Sequence, residues 1–240
     1  MSASDHRVSL QPAFILHGRD YRDSSRLLDV FSRDYGRVTL VAKGVRSSRS
    51  KLQGLLIPFT PLLVSWSGKG EVQTLTGAES VKSSIELGRR QLMSGYYMNE
   101  LLQRLTTAHD PHPDLYDIYE ASLKRFASEE DELILRHFEK QLLASLGYAL
   151  NLLSEVKSGE AVEDGAQYYY DVESGPVRIS EDDTGDVFCV SGKTLLELEN
   201  GSFTGHDTQR QAKQLMRIIM SHYLGDKPLK TRSLHWYKTL

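Results

Sequence analysis

The sequence predicts an α+β chain of more than one domain, a small β-barrel followed by a helical domain. Three observations carry that reading. Short strand-like stretches fill residues 8–80, the hydrophobic period becomes helical at Arg89, and charge is unevenly divided along the chain.

In the first part, Phe14-Ile15-Leu16 and Leu27–Phe31 are short apolar clusters, and Val38-Thr39-Leu40-Val41 is rich in β-branched residues. Asp34-Tyr35-Gly36 sits between the last two as a hairpin turn. Leu62–Trp66 and Val72–Leu75 form a second hairpin around Ser67-Gly68-Lys69-Gly70, whose glycines allow turn conformations. Short strands without a helical period predict a small antiparallel barrel over residues 1–82.

From Arg89 on, Leu92, Tyr96, Tyr97, Met98, Leu101, Leu102 and Leu105 recur at helical spacing, which predicts a helix over 89–108. His109-Asp110-Pro111-His112-Pro113 ends it. A second helix carries Leu115, Ile118, Tyr119, Leu123 and Phe126 on one side. A third runs over 130–148 with Gly147 near its end. Residues 150–190 are acidic and glycine-rich, with Tyr168-Tyr169-Tyr170 as the strong strand cue. The last helix spans Thr208–Leu224, with Asp207 as N-cap and Gly225 as C-cap. The second domain is therefore expected over 83–240.

Composition narrows the function classes. A chain of 240 residues with 40% hydrophobic and 25% charged residues has the make-up of a folded protein. The start, MSASDHRVSL, holds no apolar stretch for secretion. The longest apolar run, Leu55–Trp66, is broken by Pro58 and Pro61 and is too short for a bilayer, so a cytoplasmic protein is expected. A single cysteine, Cys189, excludes an internal disulfide and cannot build a structural zinc site, so no metal or cofactor is expected.

The net charge of -3 conceals an asymmetry: residues 1–80 hold 11 Lys and Arg against 7 Asp and Glu. Residues 120–186 hold 6 against 16, and from His206 on the balance returns to 7 against 2. From Tyr35 to Gly70 there is no acid at all, while Arg37, Lys43, Arg46, Arg49, Lys51 and Lys69 supply six positive charges. Lys and Arg read phosphates, and Tyr35, Phe59 and Trp66 could offer faces for base stacking. Six neutralised phosphates on a single strand imply a log–log salt slope of about -4. A solvated loop is the competing reading.

Catalytic signals are weak. Ser191-Gly192-Lys193-Thr194 imitates the end of a phosphate-binding loop, but Val187 stands where the first glycine belongs. His109, Asp110, His112 and Asp114 fall in a proline-punctuated turn, and the acids at 181–186 lack calcium-loop spacing. No nucleophile elbow is present, so an enzyme is not expected. On the third helix, Arg136 and Lys140 share one side among Leu133, Phe138, Leu142 and Leu143. Such a rim suits an acidic peptide with a hydrophobic end; an ordinary amphipathic helix is the alternative.

These words together resemble the RecO family of bacterial DNA-repair and recombination mediators. The likeness runs through Ala13–Glu79, GYYMNELLQRL at 95–105, LRHFEKQLLASLGY at 135–148 and YLGDKPLKTRSL at 223–234. It implies an N-terminal OB-fold and a C-terminal helical domain with a small inserted subdomain, here about 150–192. It further implies binding of single- and double-stranded DNA, strand annealing, and action with RecR and in many bacteria RecF. In that role the family helps RecA displace the single-stranded-DNA-binding protein, SSB, whose acidic tail meets the helical domain.

Carried onto this chain, the DNA-facing residues are Arg37, Lys43, Arg46, Arg49, Lys51 and Lys69, with Trp66 as a stacking platform, and the tail would meet Arg136 and Lys140. Arg210, Lys213, Arg217, Lys227, Lys230 and Arg232 could extend the DNA path. Some relatives carry a four-cysteine zinc site in the insertion; here Leu153 and Val156 stand near where a Cys-x-x-Cys pair would lie, and zinc is expected to be absent. The rivals are a general single-stranded nucleic-acid module, for RNA or DNA, and a hydrolase hidden behind the acidic middle.

Overall fold

The computed structural model describes residues 7–81, 85–128, 132–180 and 188–233. They fall into two compact units, residues 1–130 with 229–240, and residues 131–228. None of the described helices is long and apolar enough to cross a membrane.

The first unit is built on five strands, β1 (Arg7–Tyr21), β2 (Ser25–Ser32), β3 (Gly36–Ala42), β4 (Leu62–Ser67) and β5 (Val72–Ser80). They close into a barrel in the order β1-β2-β3-β5-β4. Strict alternation of buried and half-buried residues along β3 and β4 points Val38, Leu40, Leu62, Val64 and Trp66 into one interior. The expected antiparallel barrel is corrected in one respect. β3 and β5 run parallel, with Thr39 opposite Val72 and Val41 opposite Thr74, which makes the closure mixed. This is OB-like topology. β1 is long enough to pair with β4 along its first half and with β2 along its second.

The outer face of β1 and β2 is apolar as well, and helices cover it. Phe14 and Phe31 pack against Tyr116 and Tyr119 of α2 (Pro113–Ser128), with ring centroids 5.1–6.2 Å apart. Asn99 on α1 (Arg89–Leu105) donates to the Leu16 carbonyl at 2.9 Å and accepts from the Tyr119 hydroxyl at 2.5 Å, so two buried polar groups satisfy each other. The turn between β2 and β3 needs Gly36 at φ 65, and a Cβ there would strike the Asp110 backbone. The Glu100 carboxylate receives the Lys230 and Thr231 amides at 2.7 and 2.9 Å, fixing the short α6 (Lys230–Ser233) to α1.

The second unit holds α3 (Glu132–Ser145), a three-stranded sheet in the order β7-β6-β8, and two further helices. The strands are β6 (Gln167–Asp171), β7 (Gly175–Arg178) and β8 (Cys189–Ser191); the helices are α4 (Gly192–Asn200) and α5 (His206–Leu224). Ile134, Phe138, Leu142, Leu195, Leu215, Met216 and Ile219 are buried. Ser191-Gly192-Lys193-Thr194 is a helix start: the Ser191 hydroxyl accepts the Thr194 amide at 3.2 Å, and both hydroxyls meet Gln211 of α5. The expected cap of α5 is corrected, since Gly205 occupies the N-cap and Asp207 lies in the first turn.

Residues 153–162 form a small hairpin, with the Val162 amide on the Leu153 carbonyl at 2.8 Å. The Glu155 carboxylate pins it by accepting the Ser158 amide at 2.5 Å and the Arg178 amide at 3.3 Å. Those hydrogen bonds, led by Ser158, hold the Glu155 carboxyl down at a pKa of about 2. Glu181-Asp182-Asp183 and Asp186 lie outside the described residues.

Candidate nucleic-acid interface

The segment joining β3 to β4 decides what the acid-free stretch becomes. Val45 and Leu56 are buried in the barrel core, and Leu52 and Leu55 pack against it. Successive turns keep the segment compact: the Ser47 amide donates to Gly44, Ser50 to Ser47, and both Leu55 and Leu56 to Leu52. Its apolar side therefore closes one end of the barrel, while Lys43, Arg46, Arg49 and Lys51 are exposed. The stretch is a two-sided plug rather than a loose loop.

Arg46 ties that plug to the turn between β1 and β2. Its amide donates to the Ser24 carbonyl at 2.9 Å, and its guanidinium donates to the Arg22 and Asp23 carbonyls, each at 3.3 Å. The same group pairs with Asp20 at 3.2 Å. Arg46 is thus largely committed to the fold, but it brings Arg22 to the cationic end. Arg22 is exposed at φ 53 with its guanidinium 5.1 Å above the Tyr21 ring. Sequence reading missed Arg22, because Asp20 and Asp23 flank it and only the strand pairing carries it to the plug. This end of the barrel gathers Arg22, Lys43, Arg46, Arg49 and Lys51, with Arg26 donating to the Leu56 carbonyl at 3.3 Å, beside the carboxylates of Asp20 and Asp23. Among the described residues, no ion pair engages Lys43, Arg49 or Lys51.

The remaining candidates do not join them. Lys69 lies in the β4–β5 turn, three residues before Val72, which pairs with Thr39 in the middle of β3, whereas the plug follows the end of that strand. Thr39 lies three residues, about 10 Å, before Ala42, and the turn carries Lys69 away from the plug from there. Arg37 is half-buried at the start of β3, donating to the Thr106 carbonyl at 3.2 Å beneath the α1–α2 connection. Ala108 and His109 pair with its backbone there, so the His109–Asp114 turn is a structural dock. Among the described residues no cluster of His, Cys, Asp or Glu could hold a metal. Trp66 requires correction: it is 1% exposed within the barrel core and offers no face to a base. Phe59 is likewise buried. Tyr35 is 40% exposed and stands edge-on to Trp66 at 5.3 Å, at the Lys69 end.

The α3 cations are differently placed from the open groove that the sequence suggests. Arg136 is buried, paired with Glu139 at 3.0 Å and donating to the Lys213 carbonyl at 3.4 Å. Lys140 donates to the carbonyl of Glu199 at 2.6 Å and pairs with its carboxylate at 3.0 Å. Both cations fasten α3 to its neighbours. On α5, Arg210 pairs with Asp207 and Lys213 with Glu132, while Arg217 is exposed, as is Lys227 beyond the helix.

The segments that build the barrel, its plug and the helices that follow match a known group in sequence. Residues 7–84 match the family described as Recombination protein O N terminal, and residues 89–233 match Recombination protein O C terminal. The chain belongs to the RecO family. Its RecO relatives include the DNA repair protein RecO of Aromatoleum aromaticum, 46% identical over 226 residues and covering 94% of both chains. That of Azoarcus sp. is 42% identical over 233 residues, covering 96% of both. That of Methylococcus capsulatus is 43% identical over 229 residues, covering 95% of this chain and 93% of its own. The two RecO matches part between residues 84 and 89, whereas the compact units part after residue 130, because α1 and α2 pack on the barrel.

Proposed function

We propose that the chain serves DNA repair as a recombination mediator that binds single- and double-stranded DNA through the plugged end of its barrel. Membership of the RecO family supports the role in repair, and one observation carries the site: the apolar side of residues 43–57 is fixed in the barrel core, leaving its cations together in solvent. A fixed cationic surface neutralises phosphates without ordering a loop on binding. Two single strands repel each other, and a protein that offsets their charge lowers the barrier to pairing. Phosphate contacts carry no base information, so all sequences are bound alike. The chain acts by binding and has no catalytic turnover.

In this reading the protein works with RecR, and with RecF where present, to place RecA on strands coated by SSB. The acidic SSB tail meets the helical domain at Arg136 and Lys140, beside the carboxylates of Glu139 and Glu199. Annealing of complementary strands coated with SSB, with and without its tail, tests the account. Acceleration that depends on the tail supports it. A general single-stranded nucleic-acid module would bind the naked strands and leave the coated ones unpaired.

A further inference from the structure

In the second unit a cleft of about 160 Å³ opens where α3 ends and the small sheet begins. Gly147, Tyr148, Tyr170, Glu173, Gly175 and Tyr223 line it. Tyr148 is 50% exposed, yet its ring is held against Tyr223 with centroids 4.5 Å apart and planes at 36°. A half-exposed ring fixed by a second ring is a ready aromatic face.

The electrostatics of this cleft are those of a cation site. Two helices finish at it: α3 ends through Gly147, at φ 86, and Tyr148, whose amides return to the carbonyls of Ala144 and Leu143. Tyr223 stands in the last turn of α5. Helix C-termini carry partial negative charge. Glu173 adds a full one, and among the described residues it forms no ion pair. Asp171 beside it is occupied by the Ser174 hydroxyl and the Ser174 and Glu173 amides. Burial pushes the Tyr170 and Tyr223 phenols up, so both rings stay neutral at working pH.

We propose that this cleft receives the side chain of an arginine presented by a basic segment of a partner protein. A guanidinium is flat and weakly hydrated, so it stacks on Tyr148 while its N–H fork faces Glu173 and the helix-end carbonyls. Lysine would supply the charge without the stacking. The full charge of Glu173 and the two helix C-termini at the cleft attract such a segment and repel nucleic-acid phosphates, which argues against DNA as the occupant.

The test uses the full chain and a labelled peptide, Gly-Ser-Arg-Gly-Arg-Ser-Gly amide, read by fluorescence anisotropy at low salt. Citrulline and lysine versions of the same peptide are the comparisons. The arginine peptide is expected to bind about tenfold more tightly than the neutral citrulline one and several-fold more tightly than the lysine one. Tyr148→Ala and Glu173→Gln should each weaken it about fivefold or more, and both lie at exposed positions that the fold tolerates. Tyr148→Phe should keep the affinity. Glu160→Gln, at an exposed acid outside the cleft, should change nothing. Equal binding of the citrulline peptide would overturn the proposal. So would an equal effect of Glu160→Gln, or displacement of the peptide by an oligothymidylate.

Discussion

Removing Lys43, Arg49 and Lys51 together, as alanines, should change how DNA binding responds to salt more than any other surface substitution. Each is exposed, and none holds an ion pair among the described residues, so the fold should survive the loss. Six candidate cations gave an expected slope of about -4, but the structure withdraws Arg37 and Arg46 into the fold and places Lys69 in the β4–β5 turn, apart from the plug. Arg22 joins the three that remain, and four contacts give a slope of about -2.8 on single strands. A fourfold rise in salt then weakens the unaltered protein about 50-fold. The triple variant keeps Arg22, giving a slope of about -0.7 and a loss of about threefold over the same range. Anisotropy of a labelled oligothymidylate across a salt series measures both slopes. A triple variant whose slope matches that of the unaltered protein would refute the assignment. Lys69→Ala should leave the slope unchanged.

Three other consequences concern residues that hold the fold. Trp66→Ala should destabilise the barrel by about 3–5 kcal/mol, seen as lost cooperative unfolding, because a large buried side chain leaves a cavity; a stably folded variant deficient only in base stacking would contradict this. Arg136→Ala removes the ion-pair partner of the buried Glu139 and should lower stability, whereas Arg136→Met with Glu139→Leu should recover most of the loss in a denaturant titration. Glu155 contributes stability above its unfolded value of 4.5, and that contribution is lost as pH falls toward about 2. Glu155→Gln should therefore expose the amides of Ser158 and Arg178 to hydrogen exchange at neutral pH, with the difference from the unaltered protein shrinking below pH 4.5.

Much of the barrel was legible because period-two burial is a local signal. The same signal already placed Trp66 inside: it shares parity with Leu62 and Val64, which the nearby cations obscured. The parallel pairing of β3 with β5 was not legible, since it joins segments separated by the whole plug. Nor was the fate of Arg37, which depends on a turn more than sixty residues downstream, its acceptor being Thr106. In the second unit β7, β8 and α4 escaped notice because elements of 4, 3 and 9 residues carry too few apolar positions to set a period. Ser191-Gly192-Lys193-Thr194 is instructive: Gly192 is needed because a Cβ would collide with the Glu163 carbonyl, a packing constraint that imitates a phosphate motif. For Arg136, the i,i+3 spacing to Glu139 was visible in the sequence and already pointed to an internal pair.

The central claim is that one end of the barrel, made by the plug and the β1–β2 turn, meets the DNA backbone. Photo-crosslinking the full chain to an oligothymidylate bearing reactive groups along its length, followed by peptide mapping, tests it most directly. Crosslinks should concentrate on residues 22–24 and 43–51. Crosslinks confined to the Tyr35 and Lys69 end, or to residues 131–228, would contradict it.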